Sequence, residues 1–186
     1  MLSMDYVIRH IRQDEWPLLE DFLYEAIYIP EGFEGKVPRS VIYDDPKCCA
    51  AFEGFGLRSD DRAVVAEVDG KVVGACWVRT TNEYGHIDDM TPSFSISLLK
   101  PYRGKGMGTA MMRRMLCELQ QAGIARASLS VQKENPALHL YERLGFRIIG
   151  DGEDDSEWLM VCNLDEARGL ELFTTRADIT HNSYRS

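Results

Sequence analysis

The chain has 186 residues, of which 45% are hydrophobic and 27% charged, and its formal net charge is -9. These values predict a single domain and exclude an integral membrane protein, because no stretch approaches the roughly 18 uncharged apolar residues of a membrane span. So negative a charge also disfavours nucleic-acid binding and would attract a cationic substrate such as an amine. The first residues lack the basic and apolar stretches of a signal peptide, so we expect a cytoplasmic protein.

The N-terminal part of the chain predicts a strand followed by helices. Residues 6–9 have the pattern of a short strand, and Asp14 can cap a helix whose apolar residues continue at helical spacing to Ile27. Residues 29–39 contain prolines and glycines that break this helix into a loop. A second helix is expected from about residue 40 to residue 52.

Two valine-rich segments, residues 62–68 and 71–79, are joined by the dipeptide Asp69-Gly70. This dipeptide is favoured in two-residue hairpin turns, because both central positions of such a turn need a positive φ. The sequence therefore predicts an antiparallel hairpin here.

The second half predicts strands that alternate with helices. Residues 94–98 resemble a strand, and residues 109–121 have one apolar face and end before Gly123. A strand at 127–131 precedes a helix that Asn135-Pro136 opens and Gly145 ends, and two strands follow at 146–150 and 157–162. We therefore expect an α/β (α+β) domain over residues 1–163, with a mixed sheet of six to seven strands and helices on both faces. Residues 164–186 are expected to be a tail that is frayed or packs on a neighbour, as in a homodimer.

A glycine-rich turn connects the strand at 94–98 to the helix at 109–121. Its glycines at 104, 106 and 108 leave the main-chain N–H groups unshielded, and the helix N-terminus adds partial positive charge. Arg103 and Lys105 can add full charges, so the turn is predicted to bind a diphosphate. The Walker spacing is absent, and Thr109 occupies the last glycine position of the dinucleotide pattern, which disfavours nucleoside triphosphates and NAD.

The segment Arg103-Gly104-Lys105-Gly106-Met107-Gly108 resembles the R/Q-x-x-G-x-G/A signature of the GNAT superfamily of N-acetyltransferases. Residues 135–146, NPALHLYERLGF, are similar to a second block of that family, with its Asn, Ala, Tyr and closing Gly-Phe in the same order. One departure is Lys100, which stands where members often have a proline. Two blocks in the right order are more specific than either block alone.

The resemblance implies a mostly antiparallel, splayed sheet in which the pantetheine arm of acetyl-CoA pairs with the strand backbone. It also implies that the amide of Leu98 or Leu99 polarises the thioester carbonyl, and that Tyr141 gives a proton to the leaving thiolate. From the residues alone, Tyr141 could instead be a core tyrosine, and Asn135 only a helix cap. The cofactor-binding residues implied in this way are Leu98, Leu99, Lys100, Arg103, Gly104, Lys105, Gly106, Met107, Gly108, Thr109, Asn135 and Tyr141.

The acceptor site and the general base are open at this point. A protonated amine must be attracted before it reacts, so aromatic and acidic residues of the polar loops are candidates for substrate binding, namely Phe33, Tyr84, Asp88 and Asp89. Other groups that could relay a proton through water are Glu67, Glu83 and His86.

These observations predict an N-acetyltransferase that moves an acetyl group from acetyl-CoA to a primary amine of a small molecule or peptide by direct attack. The alternative is a non-catalytic module that binds or senses acyl-CoA. The histidines have no metal-binding spacing, so no metal is expected.

Overall fold

The computed structural model of the chain describes residues 5–165. Within that range the elements follow the predicted order, except that the second predicted helix is divided in two. The strands are β1 (Val7–His10), β2 (Arg62–Val68), β3 (Lys71–Arg79), β4 (Ser93–Leu98), β5 (Arg126–Gln132), β6 (Arg147–Asp151) and β7 (Glu157–Asn163). The helices are α1 (Leu18–Ala26), α2 (Val41–Asp44), α3 (Pro46–Phe52), α4 (Met107–Gln121) and α5 (Leu138–Arg143), and 3₁₀ turns lie at Gln13–Glu15 and Lys100–Tyr102.

The strands form one seven-stranded sheet in the order β1-β2-β3-β4-β5-β7-β6. Neighbouring strands are antiparallel except β4 and β5, which run parallel and, in the described range, pair at a single position, Ser93 with Ser128. Beyond that position the two strands separate toward their C-terminal ends. The prediction of a mixed, mostly antiparallel, splayed sheet is therefore confirmed, and the splay is a gap between β4 and β5.

The predicted hairpin is present with the predicted bounds. Strands β2 and β3 pair from Arg62 with Val78 to Val68 with Lys71. The turn residues Asp69 and Gly70 have φ values of 50° and 76°, the left-handed conformation that this type of turn requires.

Helices cover both faces of the sheet. On one face, α4 and α5 pack against the central strands, and the methionine-rich stripe of α4 is buried. On the other face, α1 and α3 cover β2 and β3, where the Trp77 indole donates a 2.8 Å hydrogen bond to the Ala51 carbonyl. Each face thus has its own apolar cluster, and the sheet separates the two.

Strand β4 presents different chemistry to these two faces. Phe94, Ile96 and Leu98 contact the cluster under α4, whereas the alternating serines face the α1 side. Ser97 Oγ, for example, donates a 2.6 Å hydrogen bond to the Phe22 carbonyl of α1. The gap beside β4 therefore has an apolar side toward α4 and α5 and a polar side toward α1 and α3.

Two helix predictions differ from the structure because of prolines. Asp14 lies in a 3₁₀ turn and α1 begins only after Pro17. The expected helix at 40–52 is interrupted before Pro46, because a residue that precedes proline is pushed toward extended conformations and Asp45 has φ of -98° and ψ of 115°.

The packed domain continues slightly past the predicted boundary at residue 163. Leu164 is fully buried, and its amide donates a 2.8 Å hydrogen bond to the Ala125 carbonyl. Residues 166–186 of the predicted tail lie outside the described residues. Within residues 5–165, no helix has the length and apolar composition needed to cross a bilayer.

Candidate active site

The backbone of β4 offers a free donor to the gap. The Leu99 amide donates a 2.9 Å hydrogen bond to the Val73 carbonyl of β3. Because hydrogen-bonded and non-hydrogen-bonded positions alternate in an antiparallel pair, the Leu98 amide points away from β3 and toward the gap. The sequence left open whether the amide of Leu98 or of Leu99 polarises the thioester carbonyl. Since the Leu99 amide is bonded to β3, Leu98 is the one with an available N–H.

The glycine turn has the geometry of an anion site. Helix α4 begins at Met107 with Gly106 as its N-cap in the left-handed conformation, at φ of 85°, and no side chain caps it. Gly104 is also left-handed, at φ of 71°. Within residues 5–165, no protein group accepts a hydrogen bond from the amides of residues 104–109. These donors, together with the partial positive charge of the α4 N-terminus, suit a diphosphate.

The two cations of the turn have different positions. The Arg103 guanidinium donates to the Leu98 carbonyl at 2.8 Å and to the Glu25 carboxylate of α1 at 2.8 Å. Lys105 is exposed, and its ammonium lies 5.8 Å from the centre of the Tyr102 ring. Arg103 thus fixes the end of β4 against α1, and Lys105 is the cation of the turn that is available to a phosphate.

Asn135 lies where β5 leads toward α5. Its side-chain oxygen accepts a 2.9 Å hydrogen bond from the Ala137 amide, which caps the turn that precedes the helix. The helix itself begins at Leu138, a little later than the sequence predicted. The capping contact uses the oxygen of Asn135, so its NH₂ group can still donate to a ligand.

Tyr141 is buried in α5 on the apolar side of the gap. Its ring packs edge-on against Phe146, with 6.2 Å between the ring centres. Burial, and to a lesser extent the Cys76 thiol of β3, raises the pKa of Tyr141 above its ordinary value of about 10. The phenol is therefore neutral at physiological pH, and within residues 5–165 its hydroxyl has no hydrogen-bond partner.

The candidate acceptor residues are not all brought to the gap. Tyr84 is half-buried and donates a 2.6 Å hydrogen bond to Asp45 at the start of α3. Asp88 pairs with Arg126, at the end of β5 that lies away from the opening. Asp89 is exposed in the same loop, and Phe33 is about half exposed in the loop after α1. Among these four, Tyr84 has the closest connection to the polar side of the gap.

Of the possible proton relays, Glu83 and His86 lie in the loop that contacts β4 and β5, where the Gly85 carbonyl accepts a 2.7 Å hydrogen bond from Ser128 Oγ. Among the described residues, His86 Nδ1 is buried without a hydrogen-bond partner. Glu67 is bound by Arg9 at the far edge of the sheet. Glu83 is 2% exposed, and its Oε2 accepts from Ser95 Oγ of β4 at 3.4 Å. Its Oε1 has no hydrogen-bond partner among the described residues. Burial raises the pKa of Glu83 well above its ordinary value, more than the nearby Arg79 lowers it.

We expect Glu83→Gln to stabilise the protein, and to do so more as pH rises. Below the unfolded-state pKa of about 4.3, a carboxyl with a raised folded-state pKa is protonated in both states and its contribution to stability is fully present. As pH rises toward the folded-state pKa, the unfolded state loses its proton first, and this contribution to stability is lost. The amide does not titrate. Thermal unfolding should give a small Tm difference at pH 4 and a gain of about 2–4 °C or more at pH 8. The exposed Glu53→Gln should show no such trend, and a pH-independent difference for Glu83→Gln would contradict the argument.

Sequence analysis missed two carboxylates on the polar side of the gap. Glu157 begins β7 and accepts hydrogen bonds from Ser130 Oγ at 2.7 Å and Gln132 Nε2 at 2.8 Å. Asp45 caps α3 and also binds Tyr84. The Asp-Pro pair signals a helix start, but the contact between positions 45 and 84 depends on the tertiary fold.

The fold and the position of the glycine turn define the class of N-acetyltransferases that is built on a splayed sheet. The N-acetyltransferase PaiA of Thermoplasma acidophilum, solved in complex with coenzyme A, superposes with a TM-score of 0.61 at 18% identity, over 86% of this chain and 99% of that one. At this identity the likeness shows the fold. The chain belongs to the acetyltransferase (GNAT) family, whose model matches residues 9–146.

Two curated relatives extend beyond the region that they share with this chain. An uncharacterized N-acetyltransferase of Methanocaldococcus jannaschii is 29% identical over 152 residues, which are 78% of this chain and 62% of the relative. An N-alpha-acetyltransferase of Sulfurisphaera tokodaii is 32% identical over 105 residues, which are 48% of this chain and 63% of the relative. The chain thus spans less than two thirds of the length of either relative.

Proposed function

We propose that the protein is an acetyl-CoA-dependent N-acetyltransferase that acetylates a primary amine of a small molecule or peptide by direct attack. The observation that carries the proposal is the combination of a gap in the sheet with free main-chain donors at its edge, from Leu98 and from residues 104–109. Bound acetyl-CoA supplies an acetyl thioester. We keep a cytoplasmic location and a homodimer as predictions.

The glycine turn and Lys105 would hold the diphosphate, and the NH₂ group of Asn135 would donate to the pantetheine arm. The Leu98 amide would donate to the thioester carbonyl as negative charge develops on its oxygen. The Arg103 guanidinium binds the Leu98 carbonyl, which restrains the main chain on the C-terminal side of this amide. The direction of the Leu98 N–H therefore supports its assignment as this donor.

Tyr141 would donate its proton to the departing thiolate. A thiolate, whose thiol has an ordinary pKa of about 8.5, is a weaker base than a phenolate, so proton transfer to it from a tyrosine in water is unfavourable. In the gap, burial also destabilises the thiolate, which raises its proton affinity. The neutral, unpartnered hydroxyl of Tyr141 on the apolar side of the gap therefore supports its role as the general acid.

Release of free thiol from acetyl-CoA, measured over a panel of amines, amino acids and short peptides, tests the proposal. We expect release only with an acceptor amine, together with a product heavier by one acetyl group in mass spectrometry. A protein that binds acetyl-CoA by calorimetry but releases no thiol with any acceptor would instead be the non-catalytic acyl-CoA-binding module.

A further inference from the structure

The side chain of Leu98 lies over a glycine of the neighbouring strand. Gly74 of β3 is the residue that pairs with Leu98 of β4, so the two residues face the same side of the sheet, toward α4. A Cβ at Gly74 would lie 2.9 Å from Leu98 Cγ, closer still to Leu98 Cδ2, and 3.0 Å from the Ser97 carbonyl oxygen. The isopropyl group of Leu98 therefore occupies the space that any side chain at position 74 would need.

The other methyl group of Leu98 lies near a second glycine. A Cβ at Gly108, in the first turn of α4, would be 3.6 Å from Leu98 Cδ1 and 3.8 Å from Leu140 Cδ2 of α5. The side chain of Leu98 is buried in this position. It is thus bounded by β3 on one side and by the first turn of α4 on another.

The backbone at Gly74 does not require a glycine. Its φ lies outside the left-handed region, in which other residues are strained. Glycine in the interior of a strand weakens the strand and often marks a place where another group approaches closely. At position 74 the group that approaches is the Leu98 side chain, so the glycine is explained by the space that it leaves open.

The remaining side of Leu98 is the gap. In the described range, β5 pairs with β4 only at Ser93, at the opposite end of β4, so no paired strand lies beside Leu98 there. A side chain at position 74 would turn the Leu98 isopropyl group away from β3. Since α4 limits movement outward from the sheet, the group would turn into the gap, on its apolar side and next to the Leu98 amide.

We infer that Gly74 is a positioning residue, which keeps the Leu98 side chain against β3 and so leaves the gap open for the acetyl thioester. This inference rests on the proposed function, in which the Leu98 N–H donates to the thioester carbonyl. Gly74 acts through Leu98, whose main chain supplies the donor and whose side chain borders the space for the acetyl group.

Gly74→Ala tests the inference, because alanine adds one carbon atom and causes no backbone strain in a strand. We expect the affinity for acetyl-CoA, measured by calorimetry, to fall by about 10-fold or more, the usual scale of an overpacked site. The kcat of thiol release should fall by about 10- to 100-fold, since a displacement of about 1 Å near reacting atoms can cost that much.

Gly150→Ala is the matched control. Gly150 also lies in a strand, β6, and its φ is outside the left-handed region. The position that a Cβ would take there has nothing within 4 Å. This variant should keep the wild-type affinity and rate.

A second pair of variants shows whether the loss passes through the Leu98 side chain. Leu98→Ala removes the two carbon atoms that a Cβ at position 74 would meet most closely, and it keeps the main-chain N–H. In this background, Gly74→Ala should change the affinity and kcat by less than about 3-fold, which a double-mutant cycle measures as coupling. Because Leu98→Ala itself leaves a cavity and destabilises the protein, such a recovery could not come from a gain in stability.

Equal losses from Gly74→Ala in the two backgrounds would overturn the inference, as would wild-type affinity and rate in Gly74→Ala. A loss of the same size in Gly150→Ala would also overturn it, because the effect would then come from alanine in any strand. Absence of thiol release with every amine would overturn the proposed function instead, and the cycle of acetyl-CoA affinities would still decide the role of Gly74.

Discussion

Tyr141→Phe should reduce the rate of thiol release by about 100-fold or more while leaving coenzyme A affinity unchanged, because general acids contribute about 10²- to 10⁴-fold. The ring stays in place against Phe146, so the change removes the proton and little of the packing. Since burial raises the pKa of Tyr141, the wild-type rate should not fall through ionisation of this group below about pH 9. Steady-state kinetics with the preferred amine measure the rate of thiol release, and calorimetry measures the affinity for coenzyme A.

Tyr43→Phe is the matched control for this experiment. Tyr43 is 48% exposed, and its hydroxyl contacts Glu20 on the surface of the helical layer. We expect this variant to keep both the rate and the affinity. A Tyr141→Phe protein with the wild-type rate would show that the thiolate takes its proton from another source, such as solvent.

The two sides of the gap differ in their chemistry. On the side of α4 and α5, apolar residues and Tyr141 line the gap, and we propose that the thioester binds there. On the side of α1 and α3, the serines of β4 and β5 contact the carboxyl groups of Glu83 and Glu157, which makes this side polar. Leu98 lies at the boundary, and its amide points between them. The alternation of apolar residues and serines along β4 is therefore the feature that makes one side of the gap apolar and the other polar.

The sequence predicted the elements that depend on local chemistry. The Asp69-Gly70 hairpin, the strand before the glycine turn and the helix after it were all predicted, because turn residues and periodicity are encoded within a few positions. The family resemblance added the splay between β4 and β5, which no periodicity reveals. Helix boundaries near Pro17 and Pro46 were less accurate, because Pro17 has no N–H to continue the hydrogen bonds of a helix and Pro46 pushes Asp45 to an extended conformation. Apolar spacing registers neither effect.

Contacts between distant segments account for the residues whose positions the sequence did not predict. Arg103 was expected at the diphosphate, yet it binds Leu98 and Glu25, a residue of α1 far away in sequence. Asp88 was one of the candidates for substrate binding, yet it pairs with Arg126 at the other end of β5. Glu157 begins the last strand and gains its position only when β7 pairs with β5. Such pairings are set by strand order, which a single sequence does not specify.

Gly106→Val should weaken acetyl-CoA binding by about 30-fold or more, since a non-glycine residue in the left-handed region costs about 1–3 kcal/mol and a β-branched one lies at the upper end. The strain arises from the backbone, because a Cβ at this position would meet nothing within 4 Å. To relieve it, the turn must rotate its peptide groups, and the amides of residues 104–109 then change the directions that we propose hold the diphosphate. Calorimetry with acetyl-CoA measures the loss.

Gly123→Val separates this effect from a general loss of stability. Gly123 follows the other end of α4, has a φ of 73°, and likewise has open space within 4 Å of the position that a Cβ would take. Both variants should therefore lose similar stability in thermal unfolding, but Gly123→Val should bind acetyl-CoA as tightly as the wild type. If both variants lost affinity equally, the effect would come from destabilisation of α4. If neither did, the diphosphate would have to bind away from residues 104–109, and the main-chain donors of the turn would need another role.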